Sequence, residues 1–259
     1  MDCNKITPEF LTKFQNKTIK EMTNHMEQKL NYLREYNQDI RLVSSSEISN
    51  IEAGLIPDIW FELFKEENII DRKEALLNLW KKNVGYELRN TIAYLSEYLE
   101  DIEILECDKV YSILYTIKNP NGDVLYYEGR NPQEEFENSE LEKHWDKISV
   151  SLKNFYKNVH NGFYYYASEA MGLVPIASVT YLGDDDLEWS IIDELKEPLQ
   201  IALNTSFGFF SNGMGSYVVI DAANCENNNA AFWSAKTQPK YNVNFWSYVD
   251  EWIVIGFQA

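Results

Sequence analysis

Basic residues, cysteine and histidine are all scarce in this sequence, and each shortage closes off a class of function. Lys and Arg together number 23 against 41 Asp and Glu in 259 residues, a formal net charge of −18. A surface of that sign repels phosphate, which argues against direct binding of nucleic acid. The three cysteines, Cys3, Cys107 and Cys225, form neither a CxxC pair nor an even disulfide framework. That usage predicts free thiols in a reducing compartment. The start, Met1-Asp2-Cys3-Asn4-Lys5, has no apolar leader core, so the expected location is the cytoplasm. No window approaches the ~18 uncharged apolar residues that a membrane span needs. His25, His144 and His160 are scattered, none in an HExxH pattern and none near a cysteine at ligand spacing. Gly213-Met214-Gly215 lacks the third glycine of a dinucleotide loop and reads as a tight turn. No GxSxG, P-loop or paired-carboxylate signature stands out. The favoured reading is therefore a protein that binds rather than an enzyme, with no recognisable catalytic signature and no set of metal ligands assigned.

Apolar and aromatic residues are abundant. Hydrophobic residues make up 45% of the chain, with seven Trp, seventeen Tyr and thirteen Phe, enough to build a core in a chain of this length. Thr7-Pro8 opens a predicted first helix that runs to about Tyr36, and Pro57 opens a short one carrying Trp60, Leu63 and Phe64. Asp71 and Glu74 resemble a capping box, followed by Leu76, Trp80, Leu88, Ile92, Leu95 and Leu99 at helical spacing. After Asp101 the period alternates: Tyr111, Ile113, Tyr115 and Ile117 predict one face of a strand. Asn119-Pro120-Asn121-Gly122-Asp123 then predicts a hairpin, with Asn-Gly suited to a type I′ turn. The charged stretch 131–147 reads as a linker or exposed helix. The expected division is thus 1–130, mainly helical and ending in a β-hairpin, and 131–259, an α+β unit.

In the second half, Leu152, Phe155, Tyr156 and Val159 lie at helical spacing. Short β-rich runs follow at 207–210, 217–221 and 230–234, and Phe245 to Ile255 fits a closing helix over one sheet face. The order of Trp145, the run Ser151-Leu152-Lys153-Asn154-Phe155-Tyr156, Asn161-Gly162, the strand pair Gly208 to Asp221 and the aromatic helix Phe245 to Trp252 resembles the SUKH superfamily. That superfamily includes cell-wall-assembly regulators and bacterial immunity proteins that neutralise polymorphic toxins. The likeness spans about residues 145–259; Ile148-Ser149-Val150-Ser151 lacks the Leu-Pro common at that place in the family. The resemblance implies an α+β fold, an antiparallel sheet packed by helices, no cofactor, and a protein partner, the effector domain of a toxin. Charge complementarity adds that this partner is basic, as the phosphate-binding cleft of a nuclease is.

Two groups are candidate partner-binding residues. Asp184, Asp185, Asp186, Glu188 and Trp189 form the densest acidic cluster and would project carboxylates into a basic partner. A plain solvated loop is the alternative use of such a run. Tyr164 and Tyr166, in the run Phe163-Tyr164-Tyr165-Tyr166, would offer rings as anchors if the strand leaves one face uncovered. Two other functions stay open on sequence: a scaffold or regulator of cell-wall or signalling machinery, and a hydrolase using Asp184 to Asp186 with a divalent metal.

Overall fold

In the computed structural model, which describes Asn24 and residues 26–259, the chain is an α+β protein built on one antiparallel sheet. The predicted first helix falls largely outside the described residues; its end is seen as α1, residues 26–34. Next come β1 (Ile40–Val43), α2 (Asp58–Lys65), α3 (Ile69–Val84) and α4 (Arg89–Tyr98). The strands β2 (Leu99–Cys107), β3 (Val110–Lys118) and β4 (Val124–Arg130) form a meander. After it lie α5 (Ser139–Glu142), α6 (Val150–Asn158), β5 (Phe163–Tyr165), β6 (Ala170–Leu173) and β7 (Thr180–Tyr181). The chain closes with β8 (Ser206–Ser211), β9 (Ser216–Asp221), β10 (Asn229–Ser234), β11 (Lys240–Asn244) and α7 (Phe245–Gln258). The sheet order is β1-β2-β3-β4-β5-β6-β8-β9-β10-β11, with β7 on β8.

Residue 130, where the composition places a boundary, falls inside this sheet. β4 pairs with β5 through Tyr127↔Tyr165, Glu128↔Tyr164 and Gly129↔Phe163, and one hydrophobic cluster runs from Val43 to Phe257. The described residues up to 130 contribute four strands, more than the single hairpin expected. β2 is hard to read because α4 passes into it at Tyr98–Leu99 with no loop, glycine or proline between them. Its outward carboxylates also look like a solvated helix face, yet Glu103 meets Lys29 and Glu106 meets Arg41.

Alternation in the central strands assigns two faces. Ile113, Tyr115, Ile117, Tyr127 and Phe163 point into the main core, under α3, α4, α6 and α7. Leu105, Leu114, Tyr126 and Tyr166 point the other way and meet Leu33 of α1. Farther along this second side a smaller core holds Leu182, Ile191, Val219 and Trp233.

Three local details depart from expectation. The helix read through residue 99 breaks at Gly85 into α3 and α4, and its start is capped by Asn68, whose side chain accepts from Ile70 N at 3.0 Å, not by Asp71. The β3–β4 turn is not type I′, because Pro120 at its first central position cannot take positive φ. Gly122 N donates to Asn119 O at 2.9 Å, and of the turn residues it is Gly122 that is left-handed, at φ +93°. This is a type I turn followed by a left-handed glycine.

Candidate functional site

The acidic cluster lies on a strap that crosses from β7 to β8 over the smaller core. Leu182 and Ile191 are buried beneath it, and Trp189 and Leu195 pack against them. Five hydrogen bonds fix its path. Leu182 N donates to Ser206 O at 3.0 Å, Trp189 Nε1 to Leu182 O at 2.9 Å, and Ile191 N to Ala235 O at 3.0 Å. Lys196 N donates to Gln238 Oε1 at 3.0 Å, and Gln238 Nε2 to Glu194 O at 2.9 Å. Between the anchors, Asp184 accepts from Asp186 N at 3.0 Å through its side chain, and its carbonyl accepts from Leu187 N. That turn directs the carboxylates outward.

Asp184, Asp185, Asp186 and Glu188 are all exposed, and the acidic run extends further than its densest part. Asp193, Glu194 and Glu197 continue it on the same strap, with Lys196 as the one basic residue between 184 and 197. Leu187, Ile192 and Leu199 are exposed among them. Carboxylates interspersed with uncovered aliphatic side chains make a surface that binds through charge and apolar contact together. The continuation was missed on sequence because the Trp189–Ile192 segment separates the two acidic runs. A signal existed: Ile191 and Leu195 are the apolar residues that anchor such a segment.

Trp189 plays a different part from the one its sequence neighbours suggest. Its ring is half-buried, edge-on to Trp233 at 5.7 Å and to Tyr217 at 6.1 Å. It pins the strap down, with its indole N–H already donating inward. Tyr164 and Tyr166 are corrected more fully. Both point to the second sheet face, but α1 and the neighbouring turns cover that face, leaving them 2% and 6% exposed. Their hydroxyls are committed, Tyr166 to Leu33 O at 3.3 Å and Tyr164 to Glu128 Oε2 at 3.1 Å. Neither ring is free to anchor a partner.

Tyr164 instead floors a pair of cavities, of about 260 Å³ and about 610 Å³, that share Val110, Arg130, Tyr164 and Glu169 in their walls. Arg130 Nε donates to Glu134 Oε1 at 2.7 Å, and Asn161 Nδ2 donates to Glu134 Oε2 at 2.8 Å. Burial pushes the Glu128 carboxyl above the usual carboxylate range, against the lowering pull of Ser112, Arg130 and Tyr164. No residue of the strap lines either cavity.

Among the described residues, no group of three or more His, Cys, Asp and Glu side chains could hold a metal ion, and no helix is long and apolar enough to cross a membrane. Comparisons of the chain with protein-family models, with curated proteins and with solved structures return no match.

Proposed function

We propose that this chain is an immunity-type binding protein of the SUKH kind, which acts in the cytoplasm by covering the basic active surface of a polymorphic toxin's effector domain, and that it performs no catalysis itself. The observation that carries this reading is the strap: Asp184, Asp185, Asp186, Glu188, Asp193, Glu194 and Glu197 stand on a segment pinned at both ends, with Leu187, Ile192 and Leu199 exposed between them. Preordered carboxylates lose little side-chain and loop entropy on binding, so more of the interaction appears as affinity. An overall charge of −18 adds long-range attraction toward a basic partner and raises association by about one to three orders of magnitude at low salt. An inhibitor that must reach its toxin before damage is done benefits from that speed. A cleft that holds phosphate, as in a nuclease, has the complementary sign.

The test is co-expression with the effector domain encoded beside it, reading growth protection and co-purification. Asp185→Lys with Glu188→Lys is expected to slow association at least tenfold at low salt, with a smaller effect at about 0.5 M salt, where screening shortens the range of the field. A complex whose association rate ignores both salt and this reversal would remove the electrostatic reading, and failure of the neighbouring effector to bind would remove the immunity reading.

A further inference from the structure

The two cavities around Tyr164 lie apart from the strap, and their lining is itself selective. Asp108, Glu128 and Glu169 line the smaller one; Glu134, Glu135, Glu137 and Glu169 line the larger. Against these stand Arg130 and Lys109, and Arg130 is already engaged by Glu134. An anion entering here would meet more carboxylate than cation. A positively charged group would be attracted by the same excess of carboxylate, in a recess where water screens less than at an open surface.

Two of the lining carboxylates, Glu128 and Glu134, are held in place by buried partners, while Asp108, Glu135, Glu137 and Glu169 are exposed. Glu128 is held from below by the hydroxyl of Tyr164. Glu134 is oriented by Asn161, which is 4% exposed and whose Oδ1 accepts Ile176 N at 2.9 Å. The loop that carries Glu134, Glu135 and Glu137 is fixed by Asn131, also buried, whose Nδ2 donates to Leu55 O at 2.7 Å and whose Oδ1 accepts Gln133 N at 3.0 Å. Side chains locked in this way keep their geometry without a ligand.

The size and the walls decide which cation fits. A bare metal ion would leave most of 260 Å³ or 610 Å³ empty, and no set of three ligating side chains converges there. Tyr36, half exposed, lines the smaller cavity, whereas Tyr111, Tyr164 and Tyr166 are buried beneath the walls; an accessible ring beside carboxylates suits a cation that carries hydrocarbon or a planar face. We propose that this recess binds an organic cation, the alkylammonium or guanidinium group of a free amine or of a protein side chain. The site does not depend on the strap or on the immunity reading.

The experiment is calorimetric titration of the full chain at low salt with two probes, spermidine and a capped tri-arginine peptide. Glu128→Gln, Glu169→Gln and a strap control, Asp185→Asn with Glu188→Gln, are measured in parallel. Glu169 is exposed on a turn, so its substitution keeps the fold even where Glu128→Gln does not. Saturable binding of either probe at one site is expected, weakened about tenfold by each cavity substitution, the cost of a lost charge-assisted hydrogen bond, and unchanged by the strap control. Tighter binding of spermidine assigns the site to a free amine; tighter binding of the peptide assigns it to a partner's side chain. Absence of saturable binding for both probes, or an equal loss in the strap control, overturns the proposal.

Discussion

The phenol oxygen of Tyr115 lies 2.6 Å from Nε2 of His160, and the direction of every proton in that contact can be assigned. Trp80 Nε1 donates to the same oxygen at 3.0 Å, and the Arg130 carbonyl oxygen beside Nδ1 can only accept, so in the neutral ring the Tyr115 hydroxyl donates to His160 Nε2. Nε2 is then the acceptor, and the ring hydrogen sits on Nδ1, 3.2 Å from the Arg130 carbonyl oxygen. All four groups are satisfied only while His160 is neutral. Burial among Trp80, Tyr115 and Phe163 holds it so, and pushes its pKa down from 6.5 to about 3.

From this follows a dependence of stability on pH with a definite sign. The unfolded chain takes up a proton on this histidine near pH 6.5 and the folded chain only near 3, so the contribution is whole above 6.5 and drains away as pH falls toward 3. At about 1.4 kcal/mol per pH unit the loss approaches ~5 kcal/mol at the acid end. Glu103 and Glu128 act oppositely: burial raises both, so the stability they contribute is full below about 4.5 and is lost as pH rises through their elevated titrations. Comparing the wild type with His160→Gln separates the two effects. Urea unfolding from pH 7 to 4 is expected to show a shallower loss in the variant; parallel profiles would mean that His160 is already charged in the fold.

The same ring sets a steric limit. A Cβ added at Gly129 would stand 2.5 Å from His160 Cε1, and the ring is bonded at both nitrogens and fully buried. It cannot step aside without giving up those bonds. Gly129→Ala is expected to cost about 2–3 kcal/mol, as overpacking does in a closed core. Gly54→Ala, with no atom near its Cβ but φ +91°, should lose only the backbone strain of about 1 kcal/mol. A thermal-melt series in which the two variants fall together would show that the ring yields.

How much of this was legible in the sequence depends on whether a residue's partner lay nearby along the chain. Alternation in 111–117, the runs at 207–210, 217–221 and 230–234 and the closing aromatic helix reveal β3, β8, β9, β10 and α7, because local periodicity reports burial on one face. The Tyr115–His160 bond joins positions 45 apart, so His160 looked like one of three scattered histidines. The Tyr run at 164–166 showed that two rings share a face but not that α1 lies over it. The acidic residues at 184–188 were plain to see, whereas the strap depends on anchors at Ala235 and Gln238 some 45 residues downstream.

A second long-range contact makes a strong test. Asp250 of α7, 3% exposed, accepts from Asn90 N at 3.0 Å and from Thr91 N and Oγ1, each at 2.8 Å. The first turn of α4 has no cap from its own flanking residue Leu88, so a carboxylate 160 positions away fills that role and meets the positive end of the helix. Asp250→Ala would leave the buried Thr91 amide and hydroxyl without an acceptor, at about 2–4 kcal/mol. Asp250→Asn keeps one acceptor oxygen and should cost about half as much. Equal midpoints for the two variants in urea would show that water replaces the carboxylate.

The last prediction concerns the strap itself, where order and charge can be separated. Trp189 closes the smaller core through its edge-on contact with Trp233 and its bond to Leu182 O. That core is a satellite of the main one, so Trp189→Ala is expected to release the strap while the rest of the sheet stays folded. Limited proteolysis within 184–199 should speed up by an order of magnitude or more, with a loss of global stability under about 3 kcal/mol. Against a basic partner, this substitution keeps every carboxylate and therefore keeps the salt dependence of association, but it raises the dissociation rate because the segment must be ordered on binding. Neutralising Asp185 and Glu188 should do the reverse, slowing association while leaving proteolysis unchanged. If the two variants alter the same rate constant, the strap's order contributes nothing apart from its charge.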